Sequence, residues 1–269
     1  MKKQFKLGII GCGFMAQSIL KGVILSDLLP ERKIIISDVS ESNLEKVDFL
    51  GVQTTTDNEY VAQNSEYLLL AVKPQNLGDV VNSLNGFKPE KIISILAGIK
   101  KNKIKNAFGS SGVKVARCMP NLPCSIGSGA LGVDMTDFNN NQDDLEFISN
   151  IFNCLGVVLS TDESKMDAIM GISGSGPAYV FMFIDSLIDA GVKQGLTKNE
   201  AKILAVQTII GSAEMVEQDE QTVTELIKSV CSKGGTTIEG VKVLEDNNFR
   251  AIISDAVDAC VKRSKELSE

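Results

Sequence analysis

Residues 8–16 read Gly-Ile-Ile-Gly-Cys-Gly-Phe-Met-Ala and overlap an apolar run from Phe5 to Ile10. That run predicts a strand, and Ile19, Leu20, Val23 and Ile24 predict the apolar face of a helix after it. A G-x-G-x-x-A pattern therefore stands at a strand-to-helix turn. Gly11 suits the tight turn, Gly13 lets backbone N–H groups approach a pyrophosphate, and Ala16 permits close packing of helix on strand. The expected ligand is a dinucleotide; the alternative is a glycine-rich turn that binds nothing.

Other residues that could do chemistry end the neighbouring apolar runs. Ile34-Ile-Ile-Ser37-Asp38 places a carboxylate where it can bond ribose hydroxyls, which favours NAD, or where it simply caps a helix over 41–50. Ala71-Val72-Lys73-Pro74, Ala97-Gly98 and Met119-Pro120-Asn121 close three further runs, and together they suggest one cleft at the carboxyl edge of a sheet. Taken singly, Lys73 reads equally as a solvated loop lysine. The second half carries two glycine-rich stretches, Gly171 to Tyr179 and Ser232 to Thr237. Each is expected to run into a helix, and each either offers N–H groups to a carboxylate or is a capped connection.

The chain has no histidine among its 269 residues. Reduction of a ketone needs a group to move the hydroxyl proton, and His is the commonest choice, so Lys, Tyr, Glu or the substrate must serve here.

The elements that position these residues follow from periodicity. Runs at 33–37, 67–72, 91–96 and 113–118 alternate with helical patterns, the rhythm of a largely parallel sheet. Runs at 130–133 and 156–159, flanking a polar helix near 142–152, extend it at its edge. From Asp162 onward apolar residues recur at helical spacing over 178–192, 200–216 and 251–261. The expected fold class is α/β: a mostly parallel sheet domain over 1–160 followed by an all-helical domain over 161–269. Tyr179 to Ile184 leave their helix little polar face, which predicts burial at a subunit interface or in the centre of a bundle.

Composition narrows the function. With 34 acidic against 27 basic residues there is no footprint for nucleic acid, and the apolar stretch 178–184 is too short to span a bilayer. A cytoplasmic protein is expected. The six cysteines form no C-x-x-C pair and have no histidines to share a zinc ion, so no metal is expected.

Taken together, Gly11-Cys-Gly-Phe-Met-Ala16, Ala71-Val-Lys-Pro74, Met119-Pro-Asn121, Ser173-Gly-Ser-Gly-Pro-Ala-Tyr179 and Gly234-Gly-Thr-Thr237 resemble, in order and spacing, the Δ1-pyrroline-5-carboxylate reductases of proline biosynthesis. The resemblance covers essentially the whole chain. It implies a Rossmann domain and a helical domain interlocked with its twin in a homodimer, with rings of dimers in some members. It further implies that Ile10, Gly11, Cys12, Gly13, Phe14, Met15, Ser37, Asn58, Ala71, Val72, Lys73, Pro74, Ala97 and Gly98 hold NADPH or NADH; Asp38 joins them from its position. Glu163, Gly235, Thr236 and Thr237 would hold the imino acid, with the Thr237 hydroxyl on the ring nitrogen. Asn58 argues for NADPH, and Asp38 would repel a 2′-phosphate that faced it. Lys233 replaces a proline common before the two glycines, and Lys228-Ser229 replaces an Asp-Asn pair of some relatives.

The missing histidine fits such a reaction, because a cyclic imine can arrive already protonated and then needs no strong acid. Two other classes share parts of the pattern. A β-hydroxyacid dehydrogenase would carry a Lys in the helix that here offers Tyr179, Phe183 and Asp185, with no Lys before Lys193; an imine reductase acting on another small acid shares the sheet and fingerprint. A non-catalytic nucleotide-binding redox sensor would use Cys12 and Cys231.

Overall fold

In the computed structural model, which describes residues 3–109 and 112–268, Phe5–Ile10 forms β1. It lies inside an eight-stranded sheet with β2 (Ile34–Ser37), β3 (Gln53–Thr55), β4 (Ser65–Leu70), β5 (Lys91–Ser94), β6 (Lys114–Met119), β7 (Gly129–Asp134) and β8 (Gly156–Thr161). The order is β3-β2-β1-β4-β5-β6-β7-β8. Every pairing is parallel except β6 with β7.

Strand alternation divides the core in two. Leu7, Ile9, Ile34, Ile36, Tyr67, Leu69 and Ile93 face one side, where α1 (Phe14–Leu25) contributes Ile19, Leu20 and Val23. Ile10, Ile35, Leu68, Leu70 and Ile92 face the other. There α3 (Asn58–Asn64), α4 (Leu77–Ser83) and α5 (Lys101–Ala107) supply Val61, Val80 and Ile104. The polar helix of the first half is α6 (Gln142–Asn153), and α2 is a single turn at Glu41–Leu44 that runs on as a 3₁₀ helix to Leu50.

Three details depart from the periodicity. The short strand β3 went unmarked because Gln53-Thr54-Thr55 has no apolar alternation. The chain leaves β4 at Leu70, ahead of the extended backbone that Pro74 imposes on Lys73. It leaves β5 at Ser94, whose hydroxyl accepts the Leu96 N–H at 3.3 Å and turns the backbone out of the ladder.

The remainder is helical: α7 (Met166–Ile169), α8 (Gly176–Lys193), α9 (Lys198–Gln218), α10 (Val223–Val230), α11 (Thr236–Asp246) and α12 (Phe249–Ser268). Capping boxes, Thr197 with Glu200 and Thr222 with Glu225, start α9 and α10. The first glycine-rich stretch does not offer the free helix start expected of it. A π turn over Met170–Gly174 leads from α7 toward α8, so its amides serve helical bonds such as Ser175 N–H to Met170 C=O at 2.8 Å. Pro177 lacks the N–H that would bond the Ser173 carbonyl, and Asn121 supplies a substitute through Nδ2 at 3.1 Å.

Contacts divide the chain into two compact units. One holds the residues up to Ser175 together with those from Cys260; the other is Gly176–Ala259. The second buries few side chains, chiefly Ile188, Ala201 and Ala205 between α8 and α9. Phe181 and Met182 are 52% and 71% exposed. The apolar helix expected to be covered on all sides is thus open within a single chain.

At the amino edge of the sheet a buried polar group needs its partners. Tyr67 Oη donates to Asp144, and Lys91 Nζ donates to the same oxygen at 2.6 Å. Burial pushes the Asp144 carboxyl up, but these two bonds and the Lys91 charge outweigh it and hold it below the usual carboxylate range. A depressed folded-state value adds stability above the ordinary aspartate titration, near about pH 4, and that stability is lost as pH falls below it. Asp144→Asn should cost roughly 1–3 kcal/mol at pH 7 and flatten the loss of Tm between pH 7 and 3. Thermal denaturation across that range is the measurement; an unchanged pH profile in the variant would assign the acid sensitivity elsewhere.

Candidate active site

The turn after β1 is stitched to its neighbours. Gly11 N–H donates to Ser37 C=O at 2.8 Å, and Ala71 N–H donates to Ile10 C=O at 2.9 Å. Gly11 has φ +99°, and a Cβ there would stand 2.7 Å from the Ala71 carbonyl oxygen, so no other residue fits. Gly13 differs. It is exposed and extended, no side chain caps α1, and a Cβ on it would meet nothing within 4 Å. The first amides of α1 therefore border open space at the β1/β4 boundary where strand order reverses, the switch point at which open α/β sheets bind ligands. Phe14 is exposed, and Met15 packs partly against the core.

Asp38 anchors this loop from β2. Its Oδ2 accepts the Cys12 N–H at 2.7 Å, while Oδ1 accepts the Ser40 N–H at 2.8 Å and Asn43 Nδ2 at 3.3 Å. The carboxylate thus ties the turn after β2 to the loop after β1. Beside it Ser37 Oγ donates to Asn58 Oδ1 at 2.7 Å, and Asn58 Nδ2 donates to Ser83 Oγ at 3.0 Å. Lys73 is exposed at the head of a 3₁₀ turn over Pro74–Asn76, with Ala71 and Val72 half-buried before it. Gly98, at φ +73°, lies under Leu267 of α12, and Ala97 beside it is half-buried.

Cys12 is fully buried, and its thiol donates to the Asn43 carbonyl at 3.2 Å. Burial first and the Asp38 charge second push its pKa up to about 11, against a smaller opposite pull from Lys46. A thiol so held is protonated near neutrality and is not a sensor nucleophile.

Glu163 opens a 3₁₀ turn after β8, with Asp162 as its cap. Its Oε1 accepts two bonds, from Arg117 Nη1 at 3.0 Å and from the Lys101 backbone N–H at 2.7 Å. Sequence reasoning missed both donors. Arg117 did leave a signal, as the charged residue inside the otherwise apolar run Val115-Ala-Arg-Cys-Met119.

The second glycine-rich loop belongs to the other compact unit. Gly234 has φ +75°, and Gly235 N–H donates to Ser232 C=O at 2.9 Å. Gly235 is the N-cap of α11, and no side chain caps the helix. The amides at its start, with the exposed Thr236 and Thr237 in its first turn, suit an anion as the spacing suggested.

The chain is similar to known proteins along its length. Residues 163–267 match the family model described as pyrroline-5-carboxylate reductase dimerisation, and residues 6–98 match that of NADP oxidoreductase, coenzyme F420-dependent. Pyrroline-5-carboxylate reductase of Arabidopsis thaliana is 38% identical, covering 99% of this chain and 97% of its own. The Synechocystis enzyme is 40% identical over 98% of each. The crystal structure of Plasmodium falciparum pyrroline carboxylate reductase with NADP bound superposes with a TM-score of 0.89 at 34% identity, covering both chains in full. Identity of this level along the whole chain, with the fingerprint, the Glu163 turn and the Gly234 loop in place, makes the chain a member of the pyrroline-5-carboxylate reductase family.

Proposed function

We infer that the protein reduces 1-pyrroline-5-carboxylate to proline, the last step of proline biosynthesis, with NADPH or NADH as reductant. The observation that carries the site is the open loop at Gly13. Its amides border free space, and the backbone at Gly11 and Ala71 leaves no room to close it. Those features fit a pyrophosphate. Ile10 to Met15, Ser37, Asp38, Asn58, Ala71 to Pro74 and Ala97-Gly98 surround the position proposed for the dinucleotide. When bound, the nicotinamide supplies the hydride that adds to the imine carbon.

The chain's own residues supply binding and orientation. The amides of Thr236 and Thr237 hold the substrate carboxylate, with Gly235 shaping the loop through its own bond to Ser232 C=O; Thr237 Oγ1 bonds the ring nitrogen, and Glu163 favours that nitrogen's positive charge. A protonated imine already carries the proton that the product amine keeps. No group titrating near neutrality is needed, which accounts for chemistry in a chain without histidine.

The helical part supports a homodimer. Its exposed apolar side chains, Val180, Phe181, Met182 and Phe183 among them, exceed what a lone soluble unit leaves open, and the family model over 163–267 is one for dimerisation. Rings of dimers and a cytoplasmic location are the corresponding expectations; among the described residues no helix is long and apolar enough to cross a membrane. We place the functional division of the chain at 160/161, at the end of β8 and just ahead of the Glu163 turn.

Thr237→Ala should lower kcat/KM by roughly tenfold or more, with dinucleotide affinity kept; an unchanged rate would remove Thr237 from the nitrogen. Gly13→Val should still fold, since a Cβ there meets nothing within 4 Å, with a Tm lowered only by the modest cost of a β-branched N-cap, yet weaken dinucleotide binding by at least roughly tenfold in a fluorescence titration. Tight binding by that variant would move the pyrophosphate elsewhere. The function itself is tested by nicotinamide absorbance with pyrroline-5-carboxylate and each reductant in parallel. Oxidation of neither overturns the assignment, and the ratio weighs Asp38 against Asn58.

A further inference from the structure

We propose that Arg117 is a positioning residue for this reduction: it pins one oxygen of Glu163, so that the other oxygen is the one presented to the substrate's cationic nitrogen. The proposal rests on the reading above, in which Glu163 serves that nitrogen.

Arg117 lies in β6 between the core residues Ala116 and Cys118, and its side chain is 5% exposed. A guanidinium buried this far must meet an acceptor, and Glu163 Oε1 stands 3.0 Å from Nη1. The Lys101 N–H reaches the same Oε1 at 2.7 Å from the first residue of α5. Oε2 takes no hydrogen bond among the described residues, and the Glu163 side chain keeps 24% exposure. One oxygen is thus structural and the other is available.

The second donor is itself fixed. Lys101 Nζ bonds Asp134 Oδ2 at 2.9 Å, Thr136 Oγ1 at 2.6 Å and Asp137 Oδ1 at 3.3 Å. Asp137 in turn takes Lys105 at 2.6 Å and the Val115 N–H at 2.9 Å. A cation at the start of a helix opposes the backbone dipole, so Lys101 is explained by the buried carboxylates it neutralises, not by helix propensity. Glu163 is therefore gripped from β6 and from α5, and both grips are built into the sheet.

A glutamate has three rotatable bonds, and a carboxylate ordered before the substrate arrives loses less freedom on binding. Arg117 also keeps Glu163 from being an uncompensated negative charge at the sheet edge.

The test is a double-mutant cycle on the full-length protein with pyrroline-5-carboxylate and saturating NADPH, comparing wild type, Arg117→Gln, Arg117→Lys, Glu163→Gln and the doubles, with Tm recorded for each. Arg117→Gln should raise KM for the imine by roughly tenfold while KM for NADPH stays within about twofold, and Arg117→Lys should recover part of the loss. In the Glu163→Gln background the same change should add less than about twofold. A purely structural arginine would lower Tm and give the same factor in both backgrounds, and that result overturns the proposal. Should Arg117→Gln not fold, the cycle built on Arg117→Lys decides by the same criterion. A wild type that turns over no pyrroline-5-carboxylate would remove the functional reading and this proposal together; additive losses in an active enzyme would remove only the role of Arg117.

Discussion

The first strand has almost no freedom to be anything else. It pairs in parallel on both sides, with β2 and with β4, and is covered on both faces. At Gly8 a Cβ would come 2.2 Å from Ser65 Oγ and 2.8 Å from Val61 Cγ1, so α3 packs directly on the strand's backbone. The chain leaves that strand at the point where strand order reverses, through a turn only glycine can make. The cofactor position proposed above starts from this contrast: Ala71 crowds Gly11, while Gly13 two residues on faces open space.

The ionised groups of the carboxyl edge act as fasteners. Asp38 joins β2 to the loop after β1, Arg117 joins β6 to the turn after β8, and Lys101 joins α5 to the acidic end of β7. Buried pairs of this kind add little net stability over an apolar replacement, because desolvation of both charges offsets most of their attraction. Their effect is on geometry. Removing one partner leaves an unsatisfied charge, so each pair admits a single local arrangement.

This geometry suits a reaction that asks for orientation more than for acid catalysis. The pyrroline nitrogen brings its own proton, and a hydroxyl and a carboxylate suffice to hold it. Cys12, buried beside Asp38 in the loop after β1, serves as a small packed side chain, its thiol pKa pushed up by burial and by the Asp38 charge.

Much of this was legible in the residues. The G-x-G-x-x-A spacing after an apolar run marked the first strand, turn and helix, and apolar runs marked six of the other seven strands along with the parallel character of the sheet. These are local properties, set by backbone sterics and by which faces must be buried. What the sequence could not express was which distant groups meet. Asp38 and Cys12 are 26 positions apart, and Arg117 and Glu163 are 46 apart. The stretch from Gly171 read either as an anion site or as a capped connection between helices; Gly171 and Gly174 lie in a π turn over Met170–Gly174, and Asn121 bonds the Ser173 carbonyl. Periodicity marked every strand but β3, together with the helical character of the second half. Only the tertiary structure decided which carboxylates are anchored and which oxygen remains available, because hydrogen bonds between remote strands depend on register and not on spacing.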